Sequence, residues 1–198
     1  MGSEQFTGKY TESGRIGSWL VDRFFGAIEQ LLRPGLPEIE SVLEIGCGAG
    51  FSTQRMAAWL DGQTLVASDL GRPLLRLAQH RVPDVPLLQQ SVYGLAHPDK
   101  SFDLVIMLEV LEHLDDPSAA LKELARVAGK QVLISTPREP LWRMLNMTRL
   151  KYLGQFGNTP GHVQHWSAAG LVRQVRPWFE VEAMATPVPW TILLLRPR

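Results

Sequence analysis

The sequence predicts a doubly wound α/β fold, a seven-stranded and mostly parallel sheet with helices on both faces and an antiparallel hairpin at the C-terminal end. Three observations carry this. Short aliphatic runs alternate with helical patterns from about residue 41 to residue 136. The connections between them are short and rich in Gly, Asp and Pro, as strand–helix–strand units require. The last two apolar runs, "FEVEAMATP" and "TILLLRP", lie close enough to pair through the turn at Pro187 to Trp190.

Taken in order, apolar positions Ile16, Trp19, Leu20, Phe24, Ile28, Leu31 and Leu32 recur at helical spacing over Arg15–Arg33, and "RPGLP" stops that helix. "SVLEI" is a strand, followed by a helix over Ser52–Leu60 that ends at Asp61-Gly62. "TLVAS" is a second strand, and Pro73–His80 a helix with proline in its first turn. "VPLLQQ" is a weaker third strand and "FDLVIML" a strong fourth. Asp116 caps a helix that starts at Pro117, runs to about Ala128 and ends at Gly129; "QVLIST" is the fifth strand. After a long insertion, a last helix over Ser167–Arg176 precedes the hairpin. Residues 1–198 read as one domain, with 1–36 as an N-terminal cover and helix and 137–166 as an insertion on the substrate side.

Composition excludes several classes. Twenty basic and twenty acidic side chains leave no formal net charge, so the chain is not built to coat nucleic acid. A single cysteine, Cys47, rules out an internal disulfide framework and suits a reducing compartment. The polar start "MGSEQFTGKY" is not a secretory signal, and no apolar run approaches the roughly 20 residues of a spanning helix. A cytoplasmic protein is expected.

"VLEIGCGAG" carries the chemistry. Its glycines fall at 46, 48 and 50, giving G-x-G-x-G where the dinucleotide fingerprint has G-x-G-x-x-G. Glu44, two residues ahead of the first glycine, would repel a pyrophosphate and suit a ligand bearing positive charge. Asp69 ends the second strand, 19 residues after Gly50, where a carboxylate can accept both hydroxyls of a ribose. A ribose, an adenine, a positive charge and no phosphate together describe S-adenosyl-L-methionine.

"VLEIGCGAG", "SDL" and "SFDLVIMLEVLEHLDDP", in that order and spacing, resemble the class I S-adenosylmethionine-dependent methyltransferases over about Ser41–Thr136. The resemblance implies a Rossmann-like sheet and a set of cofactor contacts. Gly46, Cys47 and Gly48 let the backbone approach the methionyl part, with the Cys47 thiol itself inert. Glu44 reaches the amino group directly or through water. Asp69 holds the ribose, Leu70 flanks the adenine, Val92 offers its amide and Leu108 lines the methionyl pocket. At Ser91 the family usually has an aspartate, so that adenine contact is weaker or made by a neighbour.

On the acceptor side, "LEVLEH" replaces the N-P-P-Y of amino-methyltransferases, and no second cysteine exists for covalent pyrimidine methylation. If Glu109, Glu112 and His113 share a helical face, they can hold a divalent cation such as magnesium. This E-x-x-E-H pattern, with a later histidine, resembles the metal-dependent O-methyltransferases of ubiquinone synthesis and the 3′-end 2′-O-methyltransferases of small RNA, and the resemblance implies His162 of "GHVQHW", rather than His165, as that later ligand. Two other readings stay open: a histidine that packs at the strand end, and His113 as a metal-free general base assisted by Glu112. The segment Arg138–Trp178 holds six basic residues against one acid, interleaved with aromatics. It is either a solvated helix packed on the sheet edge or a lid. As a lid, Arg138 and Arg143 clamp an anion while Trp142 and Trp166 line an apolar wall. Lys9 and Tyr10 can close over the same pocket.

The expected activity is methylation of a small molecule, on oxygen, with an acidic, amphipathic or lipid-linked acceptor. The alternatives are a metal-assisted RNA 2′-O-methyltransferase, a non-catalytic S-adenosylmethionine-binding protein, and a nicotinamide oxidoreductase. Glu44 opposes the last, and no tyrosine has a lysine four residues later.

Overall fold

The computed structural model describes residues 15–60, 62–148, 154 and 158–198. The expected N-terminal cover with Lys9 and Tyr10, and the basic and aromatic residues at 149–153 and 155–157, lie outside the described residues.

The elements run α1 (Arg15–Leu32), a 3-10 turn (Leu36–Glu38), β1 (Ser41–Ile45), α2 (Phe51–Ala57), β2 (Thr64–Asp69), α3 (Arg72–Arg81), β3 (Leu87–Gln89) and β4 (Phe102–Leu108). A second 3-10 turn (Leu111–His113) leads to α4 (Pro117–Val127), β5 (Ala128–Pro137), α5 (Leu141–Thr148), α6 (Ala168–Val175), β6 (Phe179–Ala185) and β7 (Trp190–Pro197). One seven-stranded sheet has the order β3-β2-β1-β4-β5-β7-β6. Strands β1 to β5 are parallel, and β7 is antiparallel to both β5 and β6.

Alternation along the central strands builds two cores, one on each face. Leu43, Ile45, Val105, Met107, Val132 and Ile134 meet Leu121 and Leu124 of α4 and Leu171 and Val175 of α6. Val42, Leu104, Ile106, Leu133 and Ile192 meet Phe24, Phe25, Ile28 and Leu32 of α1. Ile16 and Trp19, part of the expected apolar stripe of α1, are instead exposed, and the Arg23 guanidinium lies 4.9 Å from the centre of the Trp19 ring.

Three boundaries differ from expectation. The helix after the glycine loop stops at Ala57, because Trp59 and Leu60 turn back onto the Met56 carbonyl. Gly129 does not end a helix: α4 passes into β5 without a loop, and a Cβ at the glycine would stand 3.4 Å from the Lys100 and Phe102 carbonyl oxygens. The weak third strand shrinks to three residues at the sheet edge. No helix among the described residues is long and apolar enough to cross a membrane.

Candidate active site

Strand order reverses between β1 and β4, so their carboxyl ends open a crevice, the usual ligand position in a doubly wound sheet. A cleft there is lined by Gly46, Cys47, Ala49, Phe51, Ser52, Leu108 and Glu109. Gly46, Gly48 and Gly50 all have positive φ, at 77°, 54° and 79°. That conformation costs an ordinary residue about 1–2 kcal/mol. A Cβ on Gly46 would stand 2.3 Å from Cγ2 of Val110.

The loop is braced from below. The Gly46 and Cys47 amides donate to the Ser68 carbonyl, at 2.8 and 2.9 Å. Asp69 accepts from the Gly48 amide at 2.9 Å and from the Gly71 amide at 2.7 Å. Arg81 of α3 donates to the Ala49 carbonyl and stacks on Phe51, 3.5 Å from the ring centre. Glu44 is buried beneath the turn, where it accepts from Ser52 and, at 2.6 Å, from Thr53. Burial pushes its carboxyl up to about 7; the two hydroxyls oppose that rise and the Asp69 charge adds to it. Burial, with Glu44 and Asp69, raises the Cys47 thiol far out of reach of ionisation, so it offers no thiolate.

On the adenine side of the expected site, Leu70 is 68% exposed at the rim beside Asp69. The Ser91 hydroxyl accepts from the Tyr93 amide at 3.2 Å, and Val92 is buried.

Beyond β4 the chain takes a left-handed step at Glu109, φ 57°, a strain of about 1–3 kcal/mol that its surroundings must offset. The Glu109 amide donates to the Ser135 backbone and hydroxyl oxygens, and its carboxylate accepts from Ser135 Oγ at 2.9 Å and Trp190 Nε1 at 2.8 Å. The helical turn expected over residues 109–113 therefore forms only at Leu111–His113. Glu109 stands outside the group that gathers there.

That group is Glu112, His113 and His162, whose ligand atoms all lie within 4.8 Å of one another. The backbone explains the meeting. The Val163 and Gln164 amides donate to the Glu112 carbonyl at 3.0 and 3.1 Å, docking the 158–166 segment onto the turn. His113 Nδ1 lies 2.8 Å from the Gly161 carbonyl, which only accepts, so Nδ1 carries the proton and Nε2 presents the lone pair in the neutral ring. This support from behind is the arrangement that orients metal-ligating histidines. Ligands on one cation sit roughly 3 Å apart, so the three side chains would close by about 1–2 Å around an ion.

Of the expected substrate residues, Trp142 donates to Thr159 Oγ1 at 2.9 Å and stacks on His162 with centroids 6.1 Å apart. Trp166 packs against the sheet core, and its backbone bridges to Arg138. Arg143 lies half-buried one turn beyond Glu139, whose carboxylate faces its amide at 3.4 Å. His165 points elsewhere, donating through Nε2 to Asn158 Oδ1 at 2.8 Å. Ser52, Thr53, Arg81, Ser135 and Trp190 carry roles that the sequence pattern did not assign. The two hydroxyls just after the glycines were a readable signal; nothing local marks the other three.

Known proteins resemble the chain in sequence and in fold. The family described as "Methyltransferase domain" matches residues 43–134. The chain is 34% identical over 122 residues to ubiquinone biosynthesis O-methyltransferase of Pseudomonas putida, covering 58% of this chain and 52% of that protein. It thus spans about half the length of that relative. It is 28% identical over 162 residues to an uncharacterized methyltransferase of Mycobacterium tuberculosis, covering 79% of this chain and 74% of that one. Among solved structures, magnesium protoporphyrin IX methyltransferase of Synechocystis, with bound S-adenosylhomocysteine, superposes with a TM-score of 0.71 at 19% identity. The superposition covers 99% of this chain and 93% of that one.

Proposed function

We propose that the chain is a class I S-adenosylmethionine-dependent methyltransferase that methylates a small molecule, on oxygen, with an acidic or amphipathic acceptor. The observation that carries the reading is the glycine turn at the β1/β4 switch point, closed by Asp69 and underlain by the buried Glu44. A pyrophosphate would be repelled by a carboxylate at both places, whereas ribose hydroxyls and an amino group would donate to them.

The residues present fit that cofactor. The positive-φ glycines leave backbone bare, at Gly46 where a side chain would collide with Val110 and at Gly50 where one would crowd Ala78. Asp69 uses one lone pair of each oxygen on amides, and a carboxylate has about four acceptor sites, so two remain to receive ribose hydroxyls. Leu70, exposed at the rim, would flank the adenine, with Ser91 and Val92 bordering it, and Gly46, Cys47, Gly48 and Leu108 would surround the methionyl part. Glu44, buried behind the turn, would reach the amino group directly or through water. The bound cofactor supplies a methyl carbon activated by a sulfonium.

The protein's own part is to align the acceptor and take its proton. His113 suits the second task, because its Nδ1–H is fixed on Gly161 and Nε2 can accept. Arg138, Trp142, Arg143 and Trp166 would form the acceptor side, with Trp142 and Arg143 carried by α5.

A second reading is favoured by the convergence of Glu112, His113 and His162, which would hold a divalent cation that acidifies the acceptor hydroxyl. Glu109, bound to Ser135 and Trp190, would enter that set only after exchanging those partners.

Titration calorimetry with S-adenosylhomocysteine, with and without magnesium and with NAD as control, tests the assignment. Micromolar binding of the first and none of NAD is expected. Failure to bind S-adenosylhomocysteine removes the assignment, and a magnesium response selects the metal-assisted form.

A further inference from the structure

We infer that Glu109 and Trp190 are positioning residues for the proposed reaction: Glu109, on the wall of the methyl-donor cleft, seats the Trp190 indole, and Trp190 seats α5 over the acceptor side. This rests on the methyltransferase reading of the cleft.

Glu109 borders the cleft together with Gly46, Cys47 and Leu108. Its left-handed backbone, rare for a side chain of this length, is held by three hydrogen bonds with Ser135, and its Oε2 receives the indole N–H of Trp190 at 2.8 Å. A hydrogen bond to a carboxylate is short and directional, so it fixes the rotation of the indole about its χ2.

Trp190 opens β7 opposite Pro137, the last residue of β5. Its ring lies 4.8 Å from Phe24 of α1 and 6.1 Å from Trp142 of α5, tilted against both. Trp142 stacks in turn on His162, which meets His113 edge-on at 4.8 Å. The start of the α5 segment is tied to the same place, since the Arg138 amide donates to the Pro189 carbonyl at 2.8 Å. One indole therefore bonds a wall residue of the donor cleft and packs against the N-terminal helix and the helix that carries Trp142 and Arg143. Neither Glu109 nor Trp190 belongs to the glycine turn or to the Glu112–His113–His162 group. Filling the cleft restricts Glu109, and the restriction passes through Trp190 to α5 by contiguous packed contacts.

Hydrogen exchange of the full chain, with and without S-adenosylhomocysteine, tests the assignment through three variants. Trp190→Phe keeps an aromatic ring and removes the donor. Glu109→Asn tolerates left-handed backbone but is too short to reach Trp190. Glu109→Gln keeps both the reach and an acceptor oxygen. In the wild type the ligand is expected to slow exchange at the glycine loop and at Leu141–Thr148. Trp190→Phe and Glu109→Asn lose at least about threefold of the α5 protection, while Glu109→Gln retains it. Thermal midpoints taken alongside show that each variant is folded. An α5 that does not respond while the glycine loop does, or one that Trp190→Phe leaves fully protected, overturns the inference. A ligand that protects neither segment overturns the methyltransferase reading itself, and this inference with it.

Discussion

Asp69 holds the glycine turn through Gly48: one carboxylate oxygen accepts the Gly48 amide at 2.9 Å while the other accepts the Gly71 amide at 2.7 Å. The residue expected to bind ribose is thus also the brace of the loop that approaches the rest of the ligand. Its loss should be felt twice. Asp69→Ala is expected to weaken S-adenosylhomocysteine binding by at least tenfold, about 1.4 kcal/mol, as measured by calorimetry. Asp69→Asn keeps one acceptor oxygen and should fall between. Unchanged affinity in Asp69→Ala would take this carboxylate out of the site.

Glu44 makes stability depend on pH. Its carboxyl is raised from 4.5 to about 7 by burial, so between those values the folded state holds a proton that the unfolded chain has released. The contribution is fully present below pH 4.5 and is lost as pH rises through about 7. Over that window the loss runs at about 1.4 kcal/mol for each pH unit, so the whole effect is on the order of a few kcal/mol. Glu44→Gln, which cannot ionise but still accepts from Thr53, should flatten the midpoint of urea unfolding between pH 5 and 7.5 relative to the wild type. An equal slope in both proteins would mean that Glu44 is charged throughout that window.

Much of the fold was legible because strand and helix patterns in this chain agree with their burial. The run "FDLVIML" became a central strand with six of seven residues buried, and the two last apolar runs paired as expected. The three glycines were readable because φ values of 54° to 79° admit few other residues. The left-handed step at Glu109 was not readable, since glutamate carries no local sign of it. The turn-by-turn rule therefore placed Glu109 with Glu112 and His113, and the fold moved it to Ser135 and Trp190. His162 could be suggested but not located: it reaches His113 only because the Glu112 carbonyl collects two amides from a segment some 50 residues later. Such pairings depend on packing that periodicity does not encode.

The three-residue donor set permits a prediction about which ion it prefers. Two imidazoles and one carboxylate suit manganese better than magnesium, whose ligands are almost entirely oxygen. Titration followed by the electron paramagnetic signal of free manganese should show saturable uptake. His162→Ala and Glu112→Gln should each weaken uptake at least tenfold, about 1.4 kcal/mol, with little change in S-adenosylhomocysteine affinity. Absence of saturable uptake by the wild type would leave His113 as a metal-free base.

Gly46 and Val110 are coupled by space. A Cβ at Gly46 would stand 2.3 Å from Cγ2 of Val110, a branched side chain packed against the core and joined directly to the Leu111–His113 turn. Gly46→Ala must therefore push Val110 as well as adopt a φ of 77°. We expect it to lower unfolding free energy by about 2–4 kcal/mol, the sum of overpacking and left-handed backbone costs. Val110→Ala removes the colliding methyl, so the double variant should be less unstable than the two single losses predict, by more than about 0.5 kcal/mol. The backbone share, about 1 kcal/mol, should persist in the double variant because no change at Val110 relieves it. Strict additivity in urea unfolding would show that the loop moves away from Val110 rather than against it, and that the turn bearing Glu112 and His113 is independent of the glycine loop.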